Sequence, residues 1–109
     1  MGRRQTQEVF DLKQRFADNL ILLRSRVDLS QERTAERAGL HKTELSLLER
    51  GLRLPRLDTL VKLAGAIEVE PCELLMGMAW RLGSNAEQSG AYVQQGTFPT
   101  RPARPSESA

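Results

Sequence analysis

The chain has 109 residues, a formal net charge of +2, 39% hydrophobic and 28% charged residues. That length allows one compact core with short extensions and excludes a separate sensor or catalytic domain, and the composition excludes both global disorder and a fibre. No apolar run nears the roughly 18–20 residues that span a bilayer. The basic start Met1-Gly2-Arg3-Arg4 leads into polar residues instead of an apolar secretory region, so a cytoplasmic protein without a membrane segment is expected. Met1 to Thr6 also fits the loose myristoylation pattern. Cys72 is the single cysteine, which excludes an internal disulfide and a cysteine-rich metal site.

Taken in chain order, Leu12, Phe16, Leu20, Leu23 and Val27 repeat at helical spacing and predict a first helix over about 9–27. Ser30 can cap a second over about 31–38, which Gly39 ends. A third, about 42–49, carries Leu45 and Leu48 inward and exits at Gly51. Pro55 bars helix before a fourth, whose expected inner face is Leu57, Leu60, Val61, Ala64 and Ile67. Pro71 suits the first position of a fifth, with Leu74, Leu75 and Met78 inward.

From Gly83 to Ala109 there is no Leu, Ile or Met, and Gly, Ser, Gln and Pro abound, so this stretch reads as a flexible tail. The expected architecture is all-α. It is a compact five-helix bundle over residues 12–79, with an N-terminal extension 1–11 and a C-terminal extension 80–109.

Charge divides unevenly. Residues 13–62 carry 11 Lys and Arg against 7 Asp and Glu, net +4, whereas residues 63–75 carry three Glu and no cation. Such asymmetry suits a polyanion on one side of the molecule. The second and third helices are joined by Gly39-Leu40-His41, a three-residue link containing Gly, which is the helix-turn-helix arrangement. Ala35 sits where the helices cross and Leu40 plugs the turn. Lys42, Thr43, Ser46 and Leu47 are left pointing outward from the end that enters a DNA major groove in this motif. Arg50, Arg53 and Arg56 follow, placed to lie along the phosphates.

Leu29-Ser30-Gln31-Glu32, Ala35-Glu36-Arg37-Ala38-Gly39-Leu40, Leu45-Ser46, Leu48-Glu49-Arg50-Gly51, Pro55, Leu57-Asp58-Thr59-Leu60 and Pro71-Cys72-Glu73-Leu74-Leu75 together resemble the Cro/lambda-repressor-type helix-turn-helix family, over about Phe16 to Met76. The resemblance implies a five-helix double-stranded-DNA-binding regulator, usually a homodimer, acting on transcription or as an antitoxin that represses its own operon. Around Ala38 to Thr43 the chain is also similar to controller proteins of restriction–modification systems.

The resemblance implies that Gln31 touches a phosphate and steadies the recognition helix, and that Lys42, Thr43 and Leu47 face bases. Lys42 can donate to guanine, Thr43 can hydrogen-bond a base edge, and Leu47 can meet a thymine methyl. Arg56 matches a position that approaches the minor groove in some relatives. Arg24 and Glu49 match an ion pair tying the first helix to the recognition helix. Each DNA assignment has a plainer rival: a solvated charge for Lys42 and the arginines, a local cap for Thr43 and Gln31, a protein contact for Leu47.

The chain departs from the family pattern at Thr34, where a core aliphatic is usual, at Asp28, which replaces a common Gly, and at His41, which replaces a Ser or Thr cap. Glu44 sits in the first turn, favourable to the dipole but repelling phosphate. Ile21 and Leu22 leave the first helix apolar around much of its girth, which suggests a second interface, either with residues 1–11, with the C-terminal segment near Trp80, or with another subunit. The fifth helix and Leu74–Trp80 are the expected pairing surface of a homodimer on a palindromic operator. The alternative is a protein-interaction adapter or antitoxin, with the C-terminal extension taking a protein partner. One His and one Cys leave no plausible catalytic set, and neither enzyme activity, metal nor cofactor is expected.

Overall fold

The computed structural model describes residues 10–84 and 89–95. The myristoylation pattern and Pro99, Pro102 and Pro105 lie outside them. The elements are α1 (Leu12–Arg26), α2 (Gln31–Ala38), α3 (Lys42–Glu49), α4 (Leu57–Ala66), α5 (Pro71–Leu74), β1 (Met78–Leu82) and β2 (Gly90–Gln94).

Each helix begins where its side chains offer a cap or a suitable φ. Asp11 accepts from the Gln14 N–H and Ser30 from the Arg33 N–H, satisfying amides that the helices leave unpaired. His41 offers no such bond at the start of α3, as its substitution for Ser or Thr implies. The far ends of α1 to α4 share one device. Asp28, Gly39, Gly51 and Glu68 take φ of 59°, 71°, 72° and 63°, and the amide after each folds back five residues, Leu40 N to Ala35 O at 2.9 Å and Val69 N to Ala64 O at 2.9 Å. The residue after the left-handed one then drops onto the core in three cases, as Leu29, Leu40 and Val69. A Cβ on Gly39 would touch nothing within 4 Å, so backbone conformation alone favours glycine there.

Phe16, Leu20 and Leu23 of α1, Leu45 and Leu48 of α3, and Leu60 and Leu63 of α4, with Ile67 and Leu74, form one buried cluster. Ala35 and Ala38 let α2 lie close above it. Asn19 is buried among these and donates from Nδ2 to the carbonyls of Leu74 at 3.0 Å and Met76 at 2.9 Å, tying α1 to the end of α5. Arg37 likewise binds α2 to the C-terminus of α4, its Nε reaching the Ala66 carbonyl at 2.8 Å.

Four expectations need correction. The fold is not purely helical: β1 and β2 form an antiparallel pair, Trp80 opposite Tyr92. Tyr92 and Val93 give strand character to a stretch that composition alone marks as a tail. α5 is a single turn, because Gly77 at φ 85° turns the chain outward and carries Met78 into β1. The buried face of α4 keeps Leu60, Ala64 and Ile67 as expected but is otherwise turned by a partial rotation. Leu57 and Val61 are 77% and 50% exposed, while Thr59, Leu63 and Ala66 are buried. A polar Thr59 inside and an apolar Leu57 outside hide that rotation from a hydrophobicity count. Val27, finally, caps α1 from an exposed position instead of closing its inner stripe.

Thr34 is fully buried with no partner for Oγ1. Replacing Thr34 by Val removes an unsatisfied hydroxyl at nearly constant volume and is expected to raise stability by about 1 kcal/mol. Asp28→Gly, which relieves left-handed strain at an exposed cap, is expected to add about 0.5–1 kcal/mol. Urea midpoints should rise for both, with unchanged slope; a fall for either refutes its local account.

Candidate nucleic-acid interface

α3 is held by its last residue. Glu49 has a side chain only 4% exposed, and it accepts bonds from Arg24 Nε at 2.6 Å, Arg24 Nη2 at 2.8 Å and Gln31 Nε2 at 2.8 Å. Arg24 Nη1 continues to the Leu29 carbonyl at 2.7 Å, so one guanidinium grips both the end of α3 and the turn before α2. Three donors on one carboxylate offset the cost of burying its charge. Gln31 is therefore fastened to the C-terminal end of α3, the steadying role that the resemblance implies, although spacing in the sequence does not give the partner.

With Leu45 and Leu48 buried, the opposite face of α3 stands open. Lys42 and Thr43 are exposed, and Ser46 and Leu47 are half-buried at the flank of the same helix. Lys42 Nζ pairs with Glu32 Oε2 at 3.0 Å, across the turn. Both side chains are more than half exposed. Such a pair is worth at most about 1 kcal/mol, so the ammonium can exchange it for another anion. Glu32 is a neighbour that sequence reasoning missed, because ten residues and a turn separate it from Lys42. Glu44 is half-buried in the first turn.

Beyond α3 the chain continues as Leu52-Arg53-Leu54-Pro55-Arg56-Leu57. Arg50 and Arg53 are exposed with no acidic partner among the described residues, and Arg56, its side chain 83% exposed, meets only Asp58 at 3.5 Å. The structure thus brings Lys42, Thr43, Arg50, Arg53 and Arg56 to the surface around α3, while Gln31 is half-buried and bonded to the last residue of that helix. Leu52 and Leu54 also remain exposed there, unlike the apolar residues that follow the other three caps. No group of three His, Cys, Asp or Glu among the described residues is arranged to hold a metal ion.

A family model described as Helix-turn-helix matches residues 20–74. The chain belongs to this helix-turn-helix family, of Cro/lambda-repressor type. It is 40% identical over 65 residues to the control protein C.SmaI of Serratia marcescens, covering 60% of this chain and 77% of that protein. Among solved structures it is similar to the restriction–modification controller protein C.AhdI of Aeromonas hydrophila, with a TM-score of 0.56 and 39% identity over 57% of this chain and 94% of that one. A hypothetical transcription factor from Neisseria, NHTF, gives a TM-score of 0.58 and 35% identity over 61% and 76%. The family is one of DNA-binding transcription regulators, and this helix-turn-helix chain is of that type. Among the described residues no helix is long and apolar enough to cross a membrane.

Glu49→Ala should leave the Arg24 guanidinium in a largely buried place without its partner, and a loss of about 2–3 kcal/mol is expected in urea titration. Adding Arg24→Met to Glu49→Ala should recover part of it. Additive losses would mean the two side chains are not coupled.

Proposed function

We propose that two copies of this chain bind a palindromic duplex operator and regulate transcription from it. The observation that carries the reading is the open face of α3. At its N-terminal end Lys42 and Thr43 are exposed, Lys42 held only by a solvent-exposed ion pair with Glu32, and exposed arginines line the exit from the helix. Two such helices on one face of a duplex would lie about 34–36 Å apart, one helical turn.

The residues then divide by chemistry. Lys42 leaves Glu32 to donate to guanine O6 and N7 or to a phosphate, Thr43 offers a hydroxyl and a methyl to base edges, and Leu47 meets thymine methyls from the flank. Ser46 adds a small polar contact beside them. Arg50, Arg53 and Arg56 neutralise phosphates and fix the register of the helix without reading sequence. Gln31 orients α3 through Glu49, and on this reading it also approaches a phosphate. Glu32 and Glu44 oppose phosphate approach, so they favour a register in which bases, not the backbone, face that turn.

Selection of sites from random duplexes, followed by fluorescence anisotropy at several salt concentrations, tests this reading. On the selected site Lys42→Ala should lower affinity by about tenfold and erase preference over random DNA. Arg53→Ala should weaken all sequences alike and reduce the salt slope by about 1. Equal losses on selected and random duplexes for both variants would defeat the assignment.

A further inference from the structure

Lys42 and Glu32 stand side by side at the open end of α3, Nζ and Oε2 3.0 Å apart, with side chains 59% and 71% exposed. The ammonium has three N–H donors, of which the carboxylate takes one. Glu32 Oε1 accepts no bond among the described residues. Arg33, next in the chain, turns to Glu36 Oε1 at 3.0 Å. Among the described residues the Glu32 carboxylate therefore has one partner, and that partner is the residue assigned to the bases.

When Lys42 turns to DNA, Glu32 is left as an unpaired anion beside a duplex. A charge without a partner in an interface that loses water is costly, and the phosphates add repulsion. It needs a donor. The major groove offers two kinds, cytosine N4–H and adenine N6–H. Adenine N6 is followed by the N7 acceptor of the same base, which would face the carboxylate, whereas cytosine N4 is followed only by a C–H edge. Across a G·C pair the groove presents N7, O6 and N4 in order, two acceptors and then a donor. Guanine O6 and cytosine N4 are hydrogen-bonded to each other, so they lie about 2.9 Å apart. That spacing matches the 3.0 Å between Nζ and Oε2, so the ammonium and the carboxylate can meet O6 and N4 with little change in their separation.

We propose that Glu32 is a specificity-determining residue: as Lys42 passes to guanine O6 and N7, the Glu32 carboxylate accepts from N4 of the paired cytosine, and the two side chains read one G·C pair across both strands. The ion pair of the free protein is the template of that contact. A reversed C·G pair, or A·T, sets a donor under the ammonium and an acceptor under the carboxylate. T·A keeps O4 and N6 in the right order but sets N7 against the carboxylate and gives the ammonium one acceptor instead of two. This inference rests on the reading of α3 as the helix that faces bases, and it names the base pair that the first residue of that helix meets.

The test uses the full chain and duplexes recovered by selection from random sequence, with affinities read by fluorescence anisotropy. The pair at which Lys42→Ala erases preference should be G·C; any other pair there would overturn the proposal. N4-methylcytosine in that pair keeps Watson–Crick pairing but removes the N4–H that faces the groove, and it should weaken binding of the unaltered protein about tenfold. Glu32→Ala should bind cytosine and N4-methylcytosine duplexes alike, whereas Glu44→Ala should still distinguish them. Glu32→Gln keeps an acceptor without the charge and should retain part of the difference. A methyl penalty as large in Glu32→Ala as in the unaltered protein would overturn the proposal. So would Glu32→Ala and Glu32→Gln both tightening every duplex equally, since Glu32 would then act by repulsion alone. If selection recovers no preferred sequence, the base-reading role of α3 fails together with this inference; a preferred sequence with no coupling between Glu32 and the methyl group removes this inference alone.

Discussion

The placement of the recognition helix depends on one buried carboxylate. Glu49 ends α3 and gathers Arg24 of α1 and Gln31 of α2, so three helices converge on two oxygen atoms. Burying that charge has a desolvation cost that apolar packing would avoid, but a bidentate guanidinium fixes direction as well as distance. For the proposed function a rigid α3 matters, because contact side chains must be held in a fixed geometry by their supporting residues. Leu45 and Leu48 supply attraction to the core, and Glu49 supplies the angle.

The second constraint is the repeated left-handed helix ending. Four helices, none longer than 15 residues, fit around one core because each stops at a left-handed residue and the next element begins after only three to seven residues. Glycine occupies two of those positions and Asp28 and Glu68 the others, so the chain accepts backbone strain at α1 and α4 to keep the same geometry. Glu68 gains a compensating contact with Arg37 Nη2 at 3.1 Å, which Asp28 lacks.

Much of the helical portion is legible in the sequence because its signals are local. Ser30, Gly39, Gly51, Pro55 and Pro71 punctuate the chain, and the spacing of Phe16, Leu20 and Leu23 marks the core face of α1. The illegible parts are relations across distance. Glu32 reaches Lys42 and Asn19 reaches two carbonyls beyond α4, neither through a periodic pattern, and the hold of Gln31 on α3 is implied only by resemblance, without its partner Glu49. The hairpin escaped for another reason. Its strands are five residues long, and one lies within a Gly- and Ser-rich stretch whose average composition masks Tyr92 and Val93. Val61 and Leu57 mislead in the opposite direction, apolar side chains that the rotation of α4 leaves in solvent.

The central claim of the proposed function is that one face, the outer side of α3 with the arginines that follow it, meets the duplex. Amide chemical-shift mapping on adding a short duplex at low salt tests this most directly. Shifts should concentrate at residues 42–47 and 50–56 and fade as salt is raised, leaving residues 78–82 and 90–94 unmoved relative to the free protein. Perturbation centred on the hairpin or the exposed side of α4, with α3 unchanged, would contradict the account.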